Sequence, residues 1–465
     1  MLFLKKYSLL FIGFFLLVAS VISLACLSRD QEFYVLLAYG TSFLSFLLLL
    51  FLLVSKRIVI NFYVLLILGL VIRISLFFEL PNLSDDFFRF SWDGFVFLDG
   101  GGVFGNKPVD YEFNNNLIAN FCEENLLKNN SSFFPNGMNS KDYYSVYPPV
   151  AQYIFIISSY LADYNLINNV FFIRLLLLFF ELITVFSLLK ILAFYGLNRL
   201  NVLMYVLNPL VVVEIIGNLH FEGVALAFFL LSFYMLIRNK LGVGSIIYGL
   251  AICSKLIPLL FLPFIAVRLG FKKALLFLSI VLVVCFGLFA PFYPINFMGT
   301  FFKSIQLYFH SFEFNASIYY LLRWLGEQLT GFNQIKIIGS ITPLLTVTSL
   351  LFFVHKLRWK NNWMVVLKCS TWLLLIYYSL SSVVHPWYII YLVCFSVLTG
   401  YVFPLVWSGV VFLSYMAYAD PYSVVENGWY LGLEYLILIV ALFFDLKKGG
   451  ANPFFLKGDG LKLPV

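Results

Sequence analysis

VINFYVLLILGLVIRISLFFELPNLSDDFFRFSWDG, residues 59–94, decides the fold. Its first part, 59–78, is apolar and close to the roughly 20 residues that a helix needs to cross a bilayer. Four ionisable side chains, Asp85, Asp86, Arg89 and Asp93, then crowd into SDDFFRFSWDG, residues 84–94. A carboxylate in the bilayer core costs roughly 2.5 to 3.5 kcal/mol even on the gentler insertion scales, so an acidic pair at a membrane border reads as a functional site. The plainer reading is a wet loop with incidental acids.

The rest of the chain makes that border credible. Of 465 residues, 62% are hydrophobic and only 11% are Asp, Glu, Lys or Arg, and the mean hydropathy is +0.94. Apolar stretches recur throughout, which points to a polytopic membrane protein. Its long Leu, Phe, Ile and Val runs do not alternate as barrel strands would, so the expected fold is an all-α membrane bundle. The net charge of +7 comes from cations placed singly between spans. That is an orientation signal, not a nucleic-acid stripe. Six cysteines form no CxxC or Cys/His pair, so neither a disulfide framework nor a metal cage is expected. No cofactor is called for. Lys5 and Lys6 before an apolar run, with Ser23-Leu24-Ala25-Cys26 behind it, imitate a secretory leader. The run is long for one and Ser23 replaces the usual aliphatic residue, so an uncleaved first span is expected.

Spans are expected at 7–27, 33–54 and 59–78, with Lys56 and Arg57 between the last two. Basic residues before the first span and after the second belong in the cytoplasm, so the third exits outward and delivers the acidic pair to the periplasmic or lumenal face. An external loop, 79–147, follows; its aromatic content argues for a folded cap, and it ends in Tyr147-Pro148-Pro149. Residues 150–162 read as an interfacial helix, because proline suits a helix start and the charge bias then holds to the end. Further spans are expected at 169–194, 202–216 and 224–237. Residues 243–267, interrupted by Ser254-Lys255 and Pro258, read as a hairpin of two short helices with Lys255 near its outer tip. After 274–291 comes a second external section, 292–336. Spans at 337–354, 363–380, 387–398, 403–418 and 429–444 close the bundle, with Lys360 inside and a cytoplasmic tail, 446–465. This makes about fourteen membrane helices in one integral membrane domain, 1–465.

Under that topology Asp85, Asp86, Tyr147, His220, Glu222, Lys255, Arg323 and His385 gather at one membrane face, where random polar residues would divide. One carboxylate near several cations suits transfer of a sugar from a phosphate: the base takes the acceptor's proton, and the leaving phosphate needs positive charge more than it needs a proton. Glycoside hydrolysis, by contrast, normally takes two carboxylates.

SDDFFRFSWDG after an outward-going span, YPP before an interfacial helix, Asn208-Pro209 leading to a GxxHxxG-like loop, the Lys255 hairpin and His385-Pro386-Trp387-Tyr388 occur in this order along roughly 59–398. Together they resemble the polyprenyl-phosphate-sugar-dependent glycosyltransferases of the glycosyltransferase C superfamily, above all bacterial mannosyltransferase-like members. The resemblance implies a lipid-phosphate sugar donor, a glycan or glycolipid acceptor, and an acidic base in the first large external loop. Family members often read Asp, two residues, Arg, then an aromatic; Asp86, Arg89 and Phe90 match, which makes Asp86 the base and Asp85 its supporting acid. Phe90 stands where a Tyr is frequent, and two spans precede the loop where many members have one.

Substrate contacts are expected from Arg89, Trp92, Asp93, Tyr147, His220, Glu222, Lys255, Arg323, His385 and Trp387. All but Arg323 also have a plainer reading: Arg89 pairing with Asp93, Trp92 as an interfacial anchor, His220 and Glu222 as helix caps, Lys255 snorkelling, His385 and Trp387 as boundary residues, Tyr147-Pro148-Pro149 shaping the loop. His220 and Glu222, two residues apart, do not share a helical face, which argues against a zinc pair. The expected activity is an inverting hexosyl transfer, with mannose the expected sugar, on the periplasmic face of a bacterial inner membrane. The rival is a flippase or transporter of a lipid-linked sugar. It would need ionisable groups reaching the midplane and paired broken helices, whereas the polar residues here are one-sided.

Overall fold

The computed structural model describes residues 2–55, 60–127, 138–292, 299–300, 312–358, 362–420, 423–448 and 453–456. Lys56, Arg57 and Lys360, on which part of the orientation rests, lie outside them, as do parts of 79–147, 292–336 and 446–465. Without water to bond the backbone in lipid, a chain this apolar must close its hydrogen bonds within helices. Among the described residues no strand forms; a lone parallel bridge pairs Phe314 with Val383.

Among the described residues, seven helices are long and apolar enough to cross a membrane: Ser8–Cys26, Glu32–Val54, Leu166–Phe194, Phe271–Phe292, Ile335–Leu357, Trp363–Leu380 and Gly428–Lys447, and seven shorter apolar helices of 10–17 residues pack among them. The protein is a polytopic helical bundle.

Two expected spans differ in detail. The one at 202–216 is broken: Arg199–Val206 and Pro209–Gly217 meet at 59°. Pro209 cannot donate to the preceding turn and pushes Asn208 into an extended conformation. Asn208 then caps the second half, its side chain accepting from the Leu210 N–H at 3.0 Å and donating to Ser408 Oγ at 2.9 Å. Among the described residues of the span at 59–78, the helix covers Phe62–Ile74. Its buried Arg73 donates to Glu181 Oε2 from Nε and Nη2 at 2.9 and 2.7 Å and to the Val206 carbonyl at 2.7 Å, tying three elements together. The 243–267 stretch does divide at Lys255, which is extended between Leu241–Ser254 and Ile257–Leu269.

SDDFFRFSWDG is a helix, Asp86–Leu98, with Asp85 at its N-cap. It packs on the helix Pro149–Leu161, Phe90 stacking on Phe155 at 4.7 Å. Gly94 permits the close approach: a Cβ there would lie 2.4 Å from the Phe155 carbonyl oxygen and 2.3 Å from Ser159 Oγ. Because backbone cannot step aside as a flexible side chain can, Gly94→Ala should destabilise the fold by roughly 1–3 kcal/mol, read as an earlier loss of monodisperse protein on heating in detergent.

Candidate active site

Helix starts and ends bring the polar residues together. Asp86 opens its helix, and its half-buried carboxylate accepts from the Tyr147 hydroxyl through Oδ2 at 3.2 Å. The same oxygen lies 3.9 Å from His220 Nδ1. Asp85 accepts from Asn139 Nδ2 at 2.9 Å and sits 3.9 Å from Arg29. With 27% of its side chain exposed against 12% for Asp85, Asp86 is the more accessible of the two. Burial raises the Asp86 carboxyl above its ordinary range; His220 and Lys255 oppose this, and the Asp85 charge adds to it. Removing that charge in Asp85→Asn should therefore lower the Asp86 pKa, and the acid limb of kcat/KM should move to lower pH.

His220 stands at the start of the next helix, in a loop shaped from behind. Arg174 donates to the Ile216 and Gly217 carbonyls at 2.8 and 3.0 Å, holding the end of the broken helix. Leu219 takes a left-handed φ of 65°, a conformation that costs a non-glycine residue about 1–2 kcal/mol. That turn carries the His220 N–H to the Glu214 carbonyl at 2.9 Å. The imidazole stacks on Trp387 at 3.7 Å, and Trp387 stacks on His385 at 4.3 Å. His385 Nδ1 is buried without a hydrogen-bond partner among the described residues. Burial lowers His220 to about 4 and His385 to about 3. Both rings are therefore neutral at pH 7, and the positive charge expected of them is absent.

Lys255 supplies it. Its Nζ is paired with the buried Glu222 and lies 5.8 Å from the Tyr388 ring centre. Glu222 Oε2 has no hydrogen-bond partner among the described residues. Lys255 keeps a quarter of its side chain exposed, so an anion can reach it.

The other expected contacts lie deeper or elsewhere. Arg89 pairs with Asp93, Nε to Oδ1 at 2.8 Å, and donates to the Tyr143 and Ser140 carbonyls at 2.7 and 3.1 Å. Asp93 also accepts from Ser145 and Gln152, at 2.5 and 2.8 Å. These bonds clasp the start of the loop to its return. Trp92 is fully buried, 5.1 Å beneath the Arg89 guanidinium. Arg323, on the helix Ile318–Thr330, pairs with Glu313 and approaches Glu327 at 3.6 Å; no contact among the described residues joins it to Asp86.

Reading the sequence missed Glu214, Asn218 and Tyr415. Glu214 accepts from Tyr415 Oη at 2.8 Å and from Asn218 Nδ2 at 3.1 Å, and its Oε2 lies 3.2 Å from His220 Nε2. A lone glutamate inside the apolar run Leu210–Ile216 was the signal, six residues ahead of His220.

Comparison with known proteins meets this geometry in the middle of the chain. Residues 135–270 match the model of the alpha-(1->6)-mannopyranosyltransferase, N-terminal domain, family. The match spans less than a third of the chain. It takes in Tyr147, Glu214, His220, Glu222 and Lys255; the acidic pair precedes it. No curated protein and no solved structure matches the chain. Together with the apolar bundle, the match supports a mannosyltransferase-like membrane glycosyltransferase, as the motifs resemble.

Proposed function

We propose that the protein is an inverting glycosyltransferase that moves a hexose, mannose, from a polyprenyl-phosphate donor to a glycan or glycolipid acceptor on the non-cytoplasmic face, in bacteria the periplasmic side of the inner membrane. One observation carries the reading: an accessible carboxylate, Asp86, lies within electrostatic reach of a partly exposed cation, Lys255, and 3.9 Å from His220, which stacks on Trp387.

Asp86 takes the acceptor's hydroxyl proton as the acceptor oxygen bonds to the anomeric carbon. The bond from that carbon to the phosphate oxygen breaks, and its electron pair leaves with the lipid phosphate. Attack from the face opposite the leaving group inverts the carbon. Lys255 compensates the phosphate charge, which is worth most where water is excluded. His385, with an unpartnered Nδ1, offers a further polar contact. Trp387 stacks on both imidazoles, and the exposed part of its ring offers an apolar edge to the sugar or lipid. Asp85 supports Asp86 through its charge. Arg89, Trp92 and Asp93 keep the acidic helix in register with 140–152, and Arg323 serves a separate cluster.

A transfer assay with purified protein and a panel of radiolabelled polyprenyl-phosphate sugars tests the reading. The mannosyl donor should give product with the inverted anomeric configuration by NMR; failure of every lipid-phosphate sugar overturns it. Orientation follows the Lys and Arg bias between spans. A cysteine at Asn115 should be labelled by impermeant reagents from outside the cell and one at Lys272 should not; the opposite pattern would invert the site.

A further inference from the structure

Arg323 and the helix that carries it, Ile318–Thr330, have no task in the mechanism above. That helix is amphipathic, but inverted relative to a helix packed on a core. At about 100° per residue, Ile318, Leu321, Trp324, Leu325 and Leu329 share one side, with Phe332 just beyond the end. All six are exposed, by 44% to 84%. The opposite side is tied to the protein. Tyr319 is buried and donates to Glu313 Oε1 at 2.6 Å, Arg323 pairs with Glu313, and Tyr320 donates to Glu426. The charged residues of the helix, Arg323 and Glu327, are confined to that tied side.

Each end of the helix adjoins something informative. At its C-terminus Gly331, in a left-handed conformation with φ 81°, turns the chain into Ile335–Leu357, a helix long and apolar enough to cross the membrane. The two helices pack at this corner, where Tyr319, Ala316 and Ile338 share a small core. Ile337, Ile341, Leu344 and Leu351 of the second helix are exposed, and on a spanning helix such side chains meet acyl chains. The apolar side of Ile318–Thr330 runs into that surface through Phe332. Ahead of the helix, Phe314 is bound to the residues that precede His385. Its N–H donates to the Ser382 carbonyl at 2.9 Å, its carbonyl accepts from the Val384 N–H at 2.8 Å, and its ring centre lies 5.0 Å from that of His385. Asn315, buried with a left-handed φ of 49°, locks the junction: Nδ2 donates to the Val384 carbonyl at 3.3 Å and to Glu434 Oε1 at 3.2 Å.

We propose that Ile318–Thr330 is an interfacial helix with its apolar side in the acyl chains of the leaflet nearest the site, and that through Phe314 and Asn315 it fixes His385 and Trp387 at headgroup depth. Bilayer hydrocarbon is the occupant because the apolar side carries no charge, continues into the surface of a spanning helix and is flanked by Trp324, a residue type that gathers at membrane interfaces. The consequence for the reaction rests on the transferase reading. A polyprenyl tail keeps the donor phosphate at headgroup level, so a site held at that level meets the phosphate without drawing the tail out of the membrane.

Nitroxide labels on the full-length protein, in nanodiscs of phosphatidylethanolamine and phosphatidylglycerol, read the place of the helix without any donor. Cys26→Ser with Cys285→Ser leaves only buried cysteines, and Leu325→Cys, Leu329→Cys or Thr330→Cys then takes the label. Labels at the two leucine positions should collide with oxygen, be shielded from a water-soluble nickel chelate and lie roughly 5–10 Å below the phosphates. The label at Thr330, on the polar side, should meet the chelate. Chelate access at the leucine positions puts the face in water, and shielding from both reagents means that a second copy covers it; either result overturns the proposal. In the transfer assay in the same discs, Leu321→Glu combined with Leu325→Glu should raise the KM for polyprenyl-phosphate mannose roughly tenfold with kcat little changed, as part of the cost of a carboxylate in hydrocarbon lifts the helix. Leu321→Met with Leu325→Met should keep the wild-type KM. An unchanged KM in the folded Glu variant overturns the link between helix and site. A wild-type protein inert toward lipid-phosphate sugars counts against the transferase reading instead, and the labels still decide where the helix lies.

Discussion

Asp86→Asn is expected to cut turnover by roughly 100- to 10,000-fold while donor affinity survives, the signature of a lost general base. Asparagine keeps the shape and can still accept from Tyr147 Oη, so what disappears is basicity. Asp85→Asn should be milder, since Asp85 is engaged by Asn139 and Arg29 and acts on Asp86 only through its charge. Asp93→Asn should act differently again. It loosens a buried clasp with Arg89, Ser145 and Gln152, so its loss should appear in stability before catalysis. Near-normal turnover in Asp86→Asn with an inactive Asp85→Asn would move the base by one residue. Full activity in all three would favour the transporter.

The second large effect belongs to Lys255, and one substitution cannot isolate it. Lys255→Met strands Glu222 as a buried carboxylate, and breaking a buried pair costs up to roughly 3–5 kcal/mol, less here because the lysine is partly exposed. Adding Glu222→Gln removes the stranded charge, so the double variant should regain most of the lost stability. It should not regain donor binding: affinity for polyprenyl phosphate should stay weaker by about tenfold or more, since each tenfold corresponds to roughly 1.4 kcal/mol and a charge-assisted contact to phosphate is worth at least that. Recovery of both in the double variant would show that Lys255 serves the fold alone. Thermal unfolding and a titration with polyprenyl phosphate separate the outcomes.

Much of this was legible in the residues because lipid simplifies the problem. Apolar runs bounded by Lys and Arg announce helices, and the break at Lys255 announced itself through Ser254-Lys255 and Pro258 inside an apolar stretch. The helix within SDDFFRFSWDG was less visible: it buries Phe87, Phe90, Trp92 and Phe95 together with Arg89 and Asp93, so its polar residues face inward and mask the usual apolar stripe. The fracture at Asn208-Pro209 was written in the proline, but an apolar run on either side read as one span. The site divides in the same way. Tyr147, His220, Lys255 and His385 were expected together from the side that the topology gives them, whereas the Arg89–Asp93 clasp depends on the 140–152 return that supplies its other partners. Glu214 was hidden for the opposite reason. A single acid in an apolar helix looks like an accident until the 59° bend places it beneath His220.

The central claim is that Asp86 and Lys255 serve a lipid-phosphate sugar. Its most direct test offers purified protein, in lipid-free detergent with a glycolipid acceptor, either radiolabelled polyprenyl-phosphate mannose or GDP-mannose alone. The account predicts transfer from the first, abolished in Asp86→Asn, and none from the second. Transfer from GDP-mannose alone would contradict it.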